Sequence, residues 1–188
     1  LWGIQAETNS YPTSYIPTTT AAVTRSAETA NGSGDASTFN SEQGVLMFEG
    51  STLVNSGANN SITISDTSNS LRDSIDLDYR NEDGRLRFIV YSASSVQVNL
   101  SLYGVDKTNV NKIALTYKEN DFQFWFNGIK LATSTSASVP TKLSQLKFDT
   151  AYSGFSFNGN VKQLQYFDTA LTDSDLETLT SWVSFTDM

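Results

Sequence analysis

The chain has 188 residues, 38% of them apolar and 12% aromatic, with no cysteine and no histidine, and its formal net charge is −8. Such a composition supports one two-layer core. It excludes Cys/His zinc sites, cysteine nucleophiles, Ser-His-Asp triads and a disulfide framework. Without a basic run it argues against nucleic acid and anionic membrane as partners, and no apolar stretch reaches the ~18 residues of a membrane-inserted span.

Residues 1–24 stand apart. LWGIQAE alternates weakly, and Pro12 and Pro17 in the following TNSYPTSYIPTTTAAVTR disfavour a central strand. The segment 1–24 resembles the end of a preceding domain plus a linker in multidomain phage proteins, so the main domain is expected at 25–188; an N-terminal strand of that same domain is the alternative. A start at Leu1, with neither Met nor a charged leader, is expected for a piece of a longer protein. Residues 27–43 read as a loop around the turn cluster NGSGD. GVLMFEG at 44–50 reads as a short buried strand, and SITIS at 61–65 alternates Ile62 with Ile64.

The clean alternation begins at 74–80, where Ile75, Leu77 and Tyr79 face one way and Asp76, Asp78 and Arg80 the other. An NEDG hairpin leads into 85–91, with Leu86, Phe88 and Val90 inward. Residues 95–103 repeat the pattern with Val96, Val98, Leu100 and Leu102. In 112–118 the inward set is Ile113, Leu115 and Tyr117, and in 122–126 it is Phe122, Phe124 and Phe126. Asn127-Gly128 suits a type I′ turn, which needs positive φ at both central residues. Strand, loop and strand continue to Leu146. A last strand from Asn158 runs into the single helix at 173–181, with Thr172 as N-cap, Asp175 at N3 and Leu171 and Leu176 spaced as a hydrophobic staple.

Three stretches, KIALTYKENDFQFWFNG (112–128), SASVP (136–140) and NGNVKQLQYFDTALTDSDL (158–176), together resemble the laminin-G-like, concanavalin-A-like domains common in phage tail and fibre proteins. The resemblance covers about 25–180. It implies an all-β, antiparallel two-sheet jelly-roll sandwich with one short C-terminal helix, set at a virion surface or in an extracellular location. It further implies a recognition or decoration role, with host-surface polysaccharide or glycan as ligand and neighbouring fibre domains or subunits, a homotrimer included, as partners. It implies no shared catalytic set and no cofactor.

Glucanases of this fold carry Glu-x-Asp-x-x-Glu, so that the acids point from one strand face with nucleophile and acid ~5–5.5 Å apart. No such motif is present. Asp76 and Asp78 share a face, but Arg80 fills the next slot. The chain is therefore read as not an enzyme. Asp73, Asp76 and Asp78 remain candidate calcium ligands, since calcium takes ~6–8 oxygens; the competing reading is a polar strand face with Asp78 paired to Arg80 or to Arg87 across the hairpin. The alternative functions are a purely structural or oligomerising fibre module, and a carbohydrate-binding module of, or hydrolase related to, laminarinase-like enzymes.

If the central strands are neighbours in one sheet, their outward residues form a polar face around Tyr91, Tyr103 and Trp125, rimmed by Arg87, Asn99 and Gln123. Aromatic rings edged by amides and charges match the apolar C–H faces and hydroxyl edges of sugars. Trp125 leads this set. It is expected on a solvent-facing sheet surface, because three phenylalanines on the opposite face bury more apolar area than Gln123 plus Trp125. Trp182 is expected to pack the helix onto a sheet, and Trp2 to belong to the N-terminal segment.

Overall fold

The computed structural model describes residues 15, 17, 21, 23, 31–55, 57–67, 72–150 and 154–182. Trp2 and the expected boundary at 24/25 lie outside them. In chain order the strands are β1 (Asn31–Ser33), β2 (Gln43–Thr52), β3 (Asn60–Ser65), β4 (Ser74–Arg80), β5 (Arg85–Ser92), β6 (Ser95–Tyr103), β7 (Asn111–Lys118), β8 (Phe122–Phe126), β9 (Ile129–Ser134), β10 (Gln145–Lys147) and β11 (Gly159–Phe167). Helix α1 (Asp173–Thr180) follows.

The strands form two antiparallel sheets: a six-stranded one in the order β1-β10-β3-β4-β5-β6 and a five-stranded one in the order β11-β2-β7-β8-β9. This is the jelly-roll sandwich that the resemblance implies. The inward residues of both sheets interlock: Leu46, Phe48, Leu115, Phe122 and Phe124 from one meet Ile75, Leu77, Tyr79, Leu86 and Phe88 from the other. Two edge-to-face aromatic pairs bridge the layers, Phe48–Tyr79 at 6.2 Å and Phe88–Phe124 at 6.3 Å between centroids.

The β8–β9 hairpin turns at Asn127 (φ 47°) and Gly128 (φ 83°), the positive-φ pair that the Asn-Gly dipeptide favours. The Asn127 amide locks the turn, accepting from the Lys112 N–H at 2.8 Å and donating to Asn111 Oδ1 at 3.0 Å. Helix α1 has the expected capping box between Thr172 and Asp175, and Leu171 packs in the Leu176 cluster.

Two local readings are corrected. The NGSG segment read as loop contains β1, three residues long, because its backbone finds a partner in β10 that local propensity cannot reveal. Val96 does not face the core. A register shift between Val90 and Tyr91 places it opposite Tyr91, and it is 52% exposed. A bulge adds one residue and so reverses the alternation on one side of it.

Candidate functional site

The predicted ligand face is split between the two sheets. Trp125 and Gln123 lie on β8 of the five-stranded sheet, whereas Arg87, Tyr91, Asn99 and Tyr103 lie on β5 and β6 of the other. Trp125 does point away from the core, as the alternation requires, with Phe122 and Phe124 on the opposite, inter-sheet side. It is nevertheless only 4% exposed, since it forms a second cluster with Val45, Ala114 and Leu176. Helix α1, which lies against β7, β8 and β9, covers it. The indole N–H donates to Gln123 Oε1 at 2.8 Å, so the two residues satisfy one another under the helix. Trp125 and Gln123 are thus placed as packing residues, away from the predicted aromatic face. Trp182 sits beyond the helix with the Lys112 ammonium 4.8 Å from its ring centre, and the same ammonium donates to the Ser181 carbonyl at 3.0 Å. That contact ties the end of the helix to β7.

The outer face of the six-stranded sheet gathers the other four residues. Cross-strand register sets Asp78 beside Arg87 and Arg87 beside Ser101; the next row runs Asp76, Ile89, Asn99. The β3–β4 half of this face is buried, with Ser61, Thr63, Ser74, Asp76 and Asp78 all enclosed. The β5–β6 half opens outward: Asn99 and Tyr103 are exposed, Tyr103 at 63%, and Arg87, Tyr91 and Ser101 are half-buried.

Rigid partners hold the side chains of this strip. Arg87 donates to Asp78 Oδ2 through Nε at 3.1 Å and through Nη2, while Ser61 donates to Asp78 Oδ1 at 2.7 Å. The guanidinium is therefore fixed at two of its five N–H groups, and the others have no hydrogen-bond partner among the described residues. Arg72 lies over the Tyr91 ring, its guanidinium carbon 3.8 Å from the centroid. It also donates to Ser74 Oγ at 2.9 Å and pairs with Asp76. This arginine locks one face of Tyr91.

Asp73, Asp76 and Asp78 are not gathered at one point. Asp73 accepts from the backbone N–H groups of Ala93 and Thr141, at 3.2 and 3.3 Å, and from the Thr141 hydroxyl at 3.0 Å. Asp76 is taken by Arg72 and Asp78 by Arg87. Among the described residues no group of three acids converges as a metal site would require. Asp76 is nonetheless unusual. Its Oδ1 is buried and has no hydrogen-bond partner among the described residues. Burial pushes its carboxyl up to about 6; the Arg72 charge opposes that rise and the Asp78 charge adds to it.

No protein-family model and no curated protein matches this sequence. Solved structures resemble its fold. A carbohydrate-binding module of family 40 from the Ruminococcus gnavus intramolecular trans-sialidase, bound to α2,3-sialyllactose, superimposes with a TM-score of 0.65 at 16% identity, over 83% of this chain and 97% of that one. Domain 4 of the arabinanase AbnA from Geobacillus stearothermophilus, in complex with arabinotriose, gives 0.60 at 14% identity over 76% and 68%. A pentraxin from Limulus polyphemus gives 0.57 at 16% over 82% and 81%. The fold is a concanavalin A-like jelly roll. At these identities the likeness extends to the fold alone.

Two features of the strip have no counterpart in the sequence reading. Arg72 was not singled out, because it precedes β4 and its stacking on Tyr91 depends on the β4–β5 pairing. The place of Ser101 opposite Arg87 follows from the hairpin register only once β5 and β6 are paired. The Asp78–Arg87 pair was legible as the cross-hairpin option.

Proposed function

We propose that the domain is a non-catalytic glycan-recognition module whose binding surface is the β5–β6 strip of the six-stranded sheet. The observation that carries this reading is Tyr103, a largely exposed ring opposite Arg85 and in line with Asn99 and with Ser101, which stands beside the Asp78-held Arg87. A jelly roll that leaves polar side chains and an aromatic ring on an outer sheet face offers hydroxyl partners and an apolar stacking surface together. The neighbours that bind sialyllactose and arabinotriose support the ligand class by fold-level analogy. The similarity of 112–128, 136–140 and 158–176 to phage-type domains supports a place in a virion fibre or tail, at the virion surface or outside the cell, beside neighbouring domains or subunits.

Affinity electrophoresis through gels containing host-surface polysaccharides tests the reading. Retardation in at least one gel is expected, and Tyr103→Ala should remove it while leaving the melting temperature within about a degree, because exposed side chains contribute little to stability. Migration unchanged in every polysaccharide would refute it. Reducing ends released by the wild type but not by Asp76→Asn or Asp78→Asn would make the domain a hydrolase instead.

A further inference from the structure

We infer that the ligand of this strip is a neutral oligosaccharide laid along β6, an inference that rests on the glycan-binding reading above. The distribution of charge carries it. Of the 12 Lys and Arg in the chain, all but Arg25 are among the described residues. Around β4 and β5 each guanidinium has its own acid: Arg72 with Asp76, Arg80 with Glu82, Arg85 with Asp83 and Arg87 with Asp78. Lys107 is buried, its ammonium donating to the Arg80 carbonyl at 3.3 Å. Lys147 sits on β10, four strands from β6 in the sheet order, or roughly 19 Å at ~4.8 Å per strand. The remaining lysines lie on the five-stranded sheet, at 112, 118, 130 and 162, or at 142 in the segment before β10. Among the described residues an acidic sugar therefore meets no uncompensated cation at β5–β6, on a molecule whose net charge is −8.

What the strip does offer is neutral hydrogen bonding and one ring. The side chains of Asn99, Ser101 and Tyr103 alternate onto one face of β6, and none has a hydrogen-bond partner among the described residues. From Asn99 to Tyr103 the strip runs about 13 Å at ~3.3 Å per residue, the reach of an oligosaccharide and more than a single sugar ring. Tyr103 takes the apolar C–H face of one ring. Asn99, Ser101 and the spare N–H groups of Arg87 take the hydroxyls of the next.

The test is an array of neutral and acidic oligosaccharides with matched backbones, such as lactose against sialyllactose, followed by calorimetry of the best pair at low and high salt. The expected result is binding of the neutral member about tenfold or more tighter than its acidic partner. Affinity should hold within about twofold as salt rises, because no net ion pair forms. Tyr103→Ala should weaken binding about tenfold, the loss of one stacking contact. Equal or tighter binding of acidic members, weakening with salt, would overturn the neutral-ligand inference and leave glycan binding standing. Neutral binding unchanged in Tyr103→Ala would overturn its placement along β6. Binding to no member of either class would sink both this inference and the function it rests on.

Discussion

Trp125→Ala is expected to cost about 3–5 kcal/mol of unfolding free energy, the range for removing a buried aromatic side chain. The residue lies between β8 and α1, in contact with the Val45, Ala114 and Leu176 cluster, and the substitution leaves a cavity that a docked helix cannot fill. The helix itself has eight residues, too few to be stable alone, so its formation depends on that contact. Other ties limit its escape: the Gly128 N–H donates to Thr180 Oγ1 at 3.2 Å, and Lys130 pairs with Asp173. Urea denaturation of the variant measures the loss, and below its melting temperature glycan affinity should be unchanged, since Trp125 is on the opposite sheet from the strip. A loss under about 1 kcal/mol, or a folded variant that no longer binds glycan, would mean that Trp125 is a surface contact after all.

The second large effect concerns Asp76. Its carboxyl is raised to about 6 from an ordinary 3.8, chiefly by burial. Between those values the folded chain holds a proton that the unfolded chain has already released. Stability contributed by this group is therefore greatest at low pH and is lost as pH rises from about 4 to about 6. Asp76→Asn removes the buried charge and should raise stability at pH 7 by on the order of 1–3 kcal/mol, with the difference between variant and wild type vanishing below about pH 4. Paired thermal melts across this range give the answer directly. A variant less stable than wild type at pH 7 would show that the attraction between Arg72 and Asp76 outweighs the burial of the carboxylate.

Strand positions and inward faces were legible because the period of two is strong where one face is buried: Ile75, Leu77 and Tyr79, or Ile113, Leu115 and Tyr117, leave little freedom of register. The capping box at Thr172 and the Asn127-Gly128 turn were legible for the same local reason. Sheet membership was not. Nothing in the alternation of 112–126 distinguishes a strand beside β6 from one in the opposite layer, so a single continuous face was drawn through residues that the fold divides. Alternation likewise says that Trp125 points away from the core, but not that a helix some fifty residues later lies on top of it. Arg72 shows the limit from the other side. Its partner Asp76 is four residues on, a spacing that places neighbours together on a helix and not along a strand. Only the approach to β4, with Tyr91 alongside on β5, brings guanidinium, carboxylate and ring together.

The claim that the β5–β6 strip is the binding surface is tested most directly by amide chemical shifts. A ¹H–¹⁵N titration of the isotopically labelled chain with the best array oligosaccharide should move the signals of Arg87, Asn99, Ser101 and Tyr103 and leave the Trp125 indole N–H in place. Shifts confined to α1, β8 and the Trp125 indole, with the β6 signals still, would contradict it.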